Sequence, residues 1–320
     1  MSFDIVITWV DWSDKYFVNK LIDAGGRSEG CESGDFVELK YLLRSIEKHN
    51  VDYRKIHIVH SDNHSPPKYL KETDKLSFVP HSALVIDESF LPLIHRESIV
   101  LHLHRIPNLH QHYFYLQDDL FIMNGDVFSN IIELYNNKKI YTFKATLKSS
   151  YNVMASCGLW HQSTVNSSRI INNIGRGNMI IFEHAIQFFD KKIMQQLEKQ
   201  YNKQFLATFS YKNQKIEKNK EKDIICATSL FSNFIVYKMG FNQLSVPKNF
   251  CTMIHTNGYK NVTEKQKNNL LDKLDKSRET LILNAQGNGI SDEYPECPIV
   301  HDIFYSFLEN EFPVKTEFEK

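Results

Sequence analysis

The first third of the chain alternates short apolar runs with amphipathic stretches. Residues 4–10 are mostly β-branched or aromatic and precede a polar segment, which predicts a buried strand that ends in a loop. Residues 35–49 place leucine and isoleucine at helical spacing, and Asp35, with Glu38 three residues later, is a candidate N-cap. Residues 55–59 then predict a second strand. This strand–helix–strand order is typical of a parallel crossover unit.

The pattern continues with a third strand and becomes less regular after it. Residues 96–105 predict a helix that ends near Pro107, and residues 113–116 predict a strand followed by two aspartates. Beyond about residue 137 we expect an amphipathic stretch, a lysine-rich surface loop and three further helices, at residues 185–201, 211–222, 227–239, 263–276 and 301–310. The predicted fold is α/β, with a parallel-rich central sheet flanked by helices (Rossmann-like or GT-A-like) and a helical C-terminal portion.

Charge and cysteine content reduce the number of functions that the sequence supports. Lysine plus arginine equals aspartate plus glutamate at 38 each, so net charge provides no attraction to nucleic acid or to an anionic membrane. The five cysteines are an odd number at wide spacings without a CxxC pair, which indicates reduced and mostly buried thiols. Asp4 interrupts the first apolar run, and no apolar run reaches the roughly 18 residues of a membrane span. We expect a cytoplasmic protein whose membrane contact, at the inner face, is peripheral.

Acidic pairs follow two of the predicted strands. Asp11 and Asp14 come after the first strand, and Asp118 and Asp119 come after the strand at residues 113–116. Ligands of open α/β sheets bind at the carboxyl ends of the strands, and Mg²⁺ prefers hard oxygen ligands. An isolated Asp-Asp is more often an ordinary loop or cap, but four carboxylates at one edge would repel one another unless a cation or a proton intervened. We therefore predict a divalent-cation site there.

Other side chains could complete such a site. His184 is a candidate general base, because imidazole titrates near neutrality. Arg44 and Arg105 could bind phosphate through their planar forks, although a salt bridge of Arg44 and a helix-dipole role of Arg105 compete with this interpretation. Four histidines around Arg105 are spread across a predicted helix end and a proline turn, and we interpret them as structural. They are His102, His104, His110 and His112. The sequence contains no Walker or Rossmann glycine loop.

Several blocks of sequence resemble those of the Stealth family of sugar-phosphate transferases. Residues 5–14, IVITWVDWSD, are similar to its first conserved block. The second block is matched in order by residues 35–47, 55–59, 103–107 and 115–121. The region from His184 to Gly240 corresponds to the third block. Residues 282–284 and the closing residues 307–319 correspond to the fourth.

The resemblance implies transfer of a hexose-1-phosphate from a UDP-sugar to a hydroxyl of a saccharide acceptor, free or lipid-linked, in capsule or cell-surface polysaccharide synthesis. The products would be a phosphodiester and UMP. Carried over by position, it implies catalysis by Asp11, Asp14, Asp119 and His184, Mg²⁺ or Mn²⁺ at Asp118 and Asp119, and substrate contacts from Glu38, Arg44, Arg105 and Asn284. Residues 1–135 would bind the nucleotide sugar and metal, and a mainly helical part, 136–320, would complete the active site of one catalytic unit.

Some positions depart from the family pattern. Residues 95–98, His-Arg-Glu-Ser, replace a usual Asn-Ser signature, and Gln117 stands where asparagine commonly precedes the two aspartates. An arginine expected late in the third block has no clear counterpart. Lys218 and Lys220 are possible substitutes, but lysine lacks the planar fork. Further departures are Trp12 for glycine, Phe36 for asparagine and Ala285 for aspartate.

Two alternatives stay open from the sequence. A metal-dependent glycosyltransferase would also place carboxylates at a strand end, but it would release UDP and form no phosphodiester. A catalytically silent family member would bind polysaccharide, or bind a nucleotide sugar without turnover, which the substituted third and fourth blocks make plausible. Separate quantification of UMP and UDP distinguishes the two enzymes from each other.

Overall fold

The structure is a computed structural model that describes most of the chain. The described residues are 1–11, 14–23, 38–62, 65–146, 159–172, 178–181, 186–211, 223–247, 250–255, 262–277, 279–284 and 298–320. The strands are β1 Asp4–Thr8, β2 Lys55–His60, β3 Leu76–Pro80, β4 His112–Gln117, β5 Leu120–Ile122, β6 Lys139–Thr146, β7 Asn178–Ile181, β8 Gln187–Asp190, β9 Asn242–Ser245, β10 Cys251–His255 and β11 Thr280–Asn284. The helices are α1 Lys15–Asp23, α2 Glu38–Lys48, α3 Arg96–Val100, α4 Asp126–Asn136, α5 Leu159–Asn172, α6 Lys191–Gln200, α7 Asn202–Ser210, α8 Ala227–Met239, α9 Glu264–Asp275 and α10 Pro298–Glu311.

A five-stranded sheet in the order β3-β2-β1-β4-β8 forms the centre of the molecule. Four of its strands are parallel, and β8 joins the edge antiparallel to β4. Both faces of β1 are buried, with Ile5 and Ile7 packing into one apolar core and Val6 into the other. A strand covered on both sides needs this continuous apolar run, which is why residues 4–8 do not alternate with polar residues.

Helices cover the two faces and enclose the two cores. The core on the Ile5 face includes α2, α4, α9 and α10, and the core on the Val6 face includes α3, α6, α7 and α8. The Ile5-face core combines residues from both ends of the chain, among them Phe3 and Phe318. The predicted parallel-rich α/β sheet with flanking helices is therefore confirmed. Among the described residues, no helix is both long enough and apolar enough to cross a membrane.

The second half of the chain adds strands as well as helices. β10 pairs in parallel with β11, which runs antiparallel to β5, while β6 lies between an antiparallel β7 and a parallel β9. Since β5 follows β4 after the turn at residues 118–119, the small β10-β11-β5 sheet begins directly beyond the carboxyl end of the central sheet.

Several elements match the predicted ones and others differ for identifiable reasons. Each predicted strand and the helices near residues 227, 263 and 301 form with small changes of bounds. The helix predicted at 96–105 is instead α3 and a separate 3-10 turn, because the His102 Nδ1 hydrogen donates to the Ser98 carbonyl at 2.8 Å and the His102 backbone N–H turns to Ile99. The stretch at 185–201 begins as β8, and Asp190 then caps α6 through Lys192 and Ile193.

The amino ends of the central strands are joined by a buried polar cluster. The Asp4 carboxylate is fully buried and accepts hydrogen bonds from Arg54, from the His110 backbone N–H at 2.8 Å and from His57 Nε2 at 3.1 Å. His57 in turn lies 3.0 Å from Ser77 on β3. These bonds hold the pKa of Asp4 below its usual value against the opposing effect of burial. We call this set the Asp4 cluster.

Candidate active site

The acidic pairs predicted from sequence follow neighbouring strands. β1 and β4 are hydrogen-bonded in parallel, with Thr8 opposite Gln117 at their carboxyl ends. The loop that carries Asp11 and Asp14 therefore leaves the sheet beside the turn that carries Asp118 and Asp119. This is the edge at which ligands of open α/β sheets bind.

Asp119 is the most perturbed carboxyl group of this edge. Its Oδ1 atom is buried and has no hydrogen-bond partner among the described residues. Burial, followed by the neighbouring Asp118 charge, raises the pKa of Asp119 to about 8, while the Arg96 charge acts in the opposite direction. A carboxyl group with one buried oxygen that lacks a partner among the described residues, next to a second carboxyl group, is stabilised either by a proton or by a cation.

The first-strand aspartates have a local structural role as well. The Asp14 carboxylate accepts the Tyr16 backbone N–H at 2.8 Å at the start of α1, and the Asp14 N–H donates to the Asp11 carbonyl at 3.1 Å. Asp14 thus closes the turn between β1 and α1 in the manner of an N-cap. The turn fixes the position of both residues relative to the sheet.

A pair that sequence reasoning did not single out lies on the crossover between β3 and β4. Arg96, the first residue of α3, donates from Nη2 at 2.7 Å and from Nε at 3.2 Å to Glu97 Oε1. The Glu97 side chain is 3% exposed, and its Oε2 accepts the backbone N–H of Ala227 at the start of α8 at 3.0 Å. Glu97 therefore connects the beginnings of two helices and holds the Arg96 guanidinium.

Tyr115 connects this pair to the strand ends. Its hydroxyl is 3.1 Å from Thr8 Oγ1, the last residue of β1. Burial raises the pKa of Tyr115 to about 12, and the Arg96 charge opposes that rise. Arg96 thus acts electrostatically on both Tyr115 and Asp119, although the signal in the sequence was only the departure from the family's Asn-Ser signature.

The remaining predicted residues fall into three groups. Asn284 is the last residue of β11, and continuing the β11–β5 register by two pairs places this position opposite Asp118. His184 lies outside the described residues, as do Lys218 and Lys220. β8 begins at Gln187, opposite Tyr115.

Glu38, Arg44 and Arg105 make contacts within the protein. Arg44, whose side chain is 3% exposed, donates to both carboxylate oxygens of Glu319 at 2.8 and 2.9 Å and to the Phe312 carbonyl at 3.1 Å. Glu38 accepts from the Tyr305 hydroxyl at 3.4 Å on α10. The predicted competitor of phosphate binding, a salt bridge, is therefore what the structure favours for Arg44, and its partner is Glu319.

Arg105 is also bonded to other groups of the protein. Its Nη1 donates to the Leu84 carbonyl at 3.0 Å and its Nη2 pairs with Glu198, which also accepts from His104 Nε2 at 2.7 Å. These bonds lower the pKa of Glu198 to about 2 even though burial opposes that shift. The His104–Glu198–Arg105 cluster fastens α6 to the crossover.

The chemistry of the edge suits a divalent cation. No cluster of three or more metal-binding side chains occurs within the described ranges, so the candidate ligands are the two carboxylates of Asp118 and Asp119. Mg²⁺ is commonly held by one or two carboxylates together with substrate phosphates and waters. The buried, unpartnered Asp119 oxygen and its raised pKa fit this coordination, because a cation would relieve both.

The chain is similar to several known proteins. Residues 33–140 match the family model "Stealth protein CR2, conserved region 2". The exopolysaccharide phosphotransferase CpsY of Mycobacterium tuberculosis is 25% identical over 99% of this chain and 58% of its own length. The capsular polysaccharide phosphotransferase SacB of Neisseria meningitidis serogroup A is 26% identical over 99% of this chain and 57% of its own length.

A shorter match and a solved structure complete the comparisons. The capsular polysaccharide phosphotransferase LcbA of Aeromonas hydrophila is 32% identical over 42% of this chain and 41% of its own length. The galactosyltransferase LgtC, solved with donor and acceptor sugar analogues, aligns over 98% of both chains with a TM-score of 0.43 and 10% identity. The chain thus spans somewhat more than half the length of CpsY and SacB.

Proposed function

We propose that this chain is a Stealth-family enzyme and that it transfers a hexose-1-phosphate from a UDP-sugar to a hydroxyl of a saccharide acceptor. The acceptor hydroxyl would attack the phosphorus that bears the sugar. A new oxygen–phosphorus bond would form, and the bond from that phosphorus to the bridging oxygen would break. UMP would leave with the bridging oxygen, and the acceptor would lose its proton. The product would be a phosphodiester of a capsule or cell-surface polysaccharide.

The observation that carries this proposal is the perturbed Asp118–Asp119 pair at the carboxyl end of β4. A diphosphate carries several negative charges and needs a cation beside it, and the pair offers the oxygen ligands that hold Mg²⁺. When bound, the cation would neutralise phosphate oxygens of the donor. The names of the relatives, which are phosphotransferases of exopolysaccharide or capsular polysaccharide, support the same reaction class.

The residues of the chain would contribute mainly by positioning. Asp118 and Asp119 would hold the cation, and the turn formed by Asp11 and Asp14 would border the donor on the neighbouring strand. A first-strand aspartate or His184 would accept the proton of the acceptor hydroxyl. Orientation and charge neutralisation supply most of the acceleration in phosphoryl transfer, which is why few groups are needed. We further propose that residues 1–135 and 136–320 form one catalytic unit, acting at the cytoplasmic face of the membrane.

A donor screen with separate quantification of UMP and UDP tests the proposal. We expect UMP release that depends on both Mg²⁺ or Mn²⁺ and a saccharide acceptor, with a phosphodiester in the product. Release of UDP without a phosphodiester would instead identify a glycosyltransferase. Binding of nucleotide sugars without turnover across the panel would identify a catalytically silent protein.

Replacement of Asp119 tests whether the Asp118–Asp119 pair takes part in the reaction. Asp119→Ala is expected to reduce UMP release by at least about a hundredfold, as the loss of a preorganised electrostatic group does in other enzymes, with the circular dichroism spectrum unchanged. Asp272→Asn is the matched control, because Asp272 is exposed on α9, where it pairs with Lys276 four residues later. Wild-type activity in Asp119→Ala would remove Asp119 from the mechanism.

A further inference from the structure

Arg96 combines features that a purely structural arginine does not need. Nε and Nη2 both donate to a single oxygen of Glu97, and Nη1 has no partner within the part of the chain that the structure describes. About a third of the side chain, 32%, is exposed. Arg44, by contrast, uses all three of its nitrogens in protein contacts and is almost completely buried. Arg96 therefore retains donors that can face a ligand.

The chain connection places Arg96 at the ligand-binding edge. β3 ends at Pro80 on the carboxyl side of the sheet, and β4 begins at His112 on the amino side, where the neighbouring His110 N–H binds Asp4. α3 starts the return between them. Arg96 is the first residue of α3, so it lies on the carboxyl side of this return. The Arg96 charge also acts on Tyr115, whose hydroxyl lies 3.1 Å from Thr8 Oγ1 at the carboxyl end of β1, which agrees with that position.

Glu97 fixes the guanidinium without using up its donors. The Glu97 carboxylate divides its two oxygens between Arg96 and the Ala227 N–H of α8, so its negative charge is shared by two partners. Because Glu97 is buried and bonded on both oxygens, it cannot follow a moving arginine into solvent. The fork is thus held in one orientation before a ligand arrives, which reduces the entropy lost on binding.

We propose that Arg96 is a substrate-binding residue that contacts the diphosphate of the nucleotide donor, with Glu97 as its positioning residue. This inference rests on the proposed function. Arg96 supplies the planar, bidentate cation that the family pattern expects late in its third block, where this sequence offers only Lys218 and Lys220. The departure at residues 95–98 and the missing arginine are then two parts of one rearrangement of the phosphate contact.

Arg96→Lys tests the inference because it keeps the charge and removes the fork. We expect the KM for the UDP-sugar to rise about tenfold or more, the loss of one charge-assisted hydrogen bond, with a smaller change in kcat. Arg96→Gln should raise KM further. Glu97→Gln should raise KM in the same direction, and Arg96→Lys should not weaken binding further in that background. The matched control is Arg54→Lys, the same substitution at the amino edge of the sheet, which should leave KM within about twofold of the wild type.

Direct binding keeps this test separate from the test of the reaction. UDP with MgCl₂ is titrated calorimetrically into the wild type, Arg96→Lys and Arg54→Lys, with the melting temperature of each recorded. Weaker binding by Arg96→Lys alone, at an unchanged melting temperature, supports the inference even if the wild type transfers no phosphate. Equal UDP affinity and equal KM in wild type and Arg96→Lys would overturn it while leaving the proposed reaction intact. A wild type that neither binds UDP nor releases UMP would overturn both.

Discussion

The buried Asp119 oxygen lowers the stability of the fold, and the same oxygen is a candidate cation ligand. A buried oxygen without a partner is costly, because a carboxylate that loses water needs a compensating bond or charge. Asp14, in the loop after β1, accepts the Tyr16 N–H with its Oδ1 and so fixes the turn. For the buried Asp119 oxygen, we expect a bound cation to supply the partner that it lacks among the described residues.

The raised pKa of Asp119 predicts a specific pH dependence of stability. The folded state holds this proton up to about pH 8, whereas the unfolded chain releases it near pH 3.8, so stability falls as the pH rises between these values. The slope is at most about 1.4 kcal/mol per pH unit for a single group. Asp119→Asn removes this contribution. We therefore expect the free energy of unfolding of Asp119→Asn, relative to that of the wild type, to increase from pH 5 to pH 8.

Urea unfolding at pH 5 and pH 8, without divalent cations, measures this effect as the difference between the two proteins. Using the difference cancels the titration of all other groups. An identical difference at both pH values would mean that Asp119 is already ionised in the folded state at pH 5.

The acidic residues could be predicted from the sequence, whereas the cationic ones could not. Asp118 and Asp119 directly follow an apolar strand, so the local pattern is enough to place them at a strand end. Arg44 lies within an amphipathic helix and Arg96 begins a short one. The contacts that distinguish them involve Glu319, which binds Arg44, and Ala227, whose N–H binds the Glu97 carboxylate that holds Arg96; both partners are far away in sequence. No local pattern distinguishes these partners.

At the scale of elements, the structure gives the last segment of the chain a defined role. After α10, the chain places Phe318 in the core and Glu319 against Arg44, and the Lys320 N–H donates to the Tyr69 carbonyl at 2.9 Å. Arg44, on α2, therefore fastens this segment to the helix that covers the Ile5 face of the sheet.

Glu319→Gln is predicted to destabilise the protein by about 3–5 kcal/mol, because it leaves the buried Arg44 charge without its partner. Lys48→Ala is the control: its pair with Glu311 is exposed, with side-chain exposures of 41% and 35%, so the loss should be below about 1 kcal/mol. Urea unfolding provides both values. Equal losses in the two variants would show that the buried pair contributes no more than a surface pair.

Strands that are apolar throughout were easier to predict than strands defined by their neighbours. β1 and β4 have continuous apolar runs, β2 has an apolar run interrupted by His57, and all three appear where the sequence indicated. β3 was missed because Leu76–Pro80 is short, ends in proline and owes its extended form to the ladder with β2. β8 was hidden inside an amphipathic stretch, since its phenylalanines pack against β4 and its last residue, Asp190, starts a helix.

At the scale of the whole molecule, cation binding at the acidic edge should raise global stability. A ligand that binds only the folded state stabilises it by about 1.4 kcal/mol at ten times its dissociation constant. We expect MgCl₂ to raise the melting temperature of the wild type, and EDTA to reverse the effect. Asp118→Asn and Asp119→Asn should show no such rise, while Asp272→Asn should respond like the wild type. A full response in Asp119→Asn would locate the bound cation elsewhere.

The Asp4 cluster has a consequence for how such a protein can diversify. It fastens three parallel strands and the entry to β4 at the end of the sheet remote from Asp118 and Asp119. Substitutions in the turns at the opposite end therefore leave this fastening untouched. Evolution can vary those turns to change donor or acceptor preference, and each new variant inherits a scaffold that still folds.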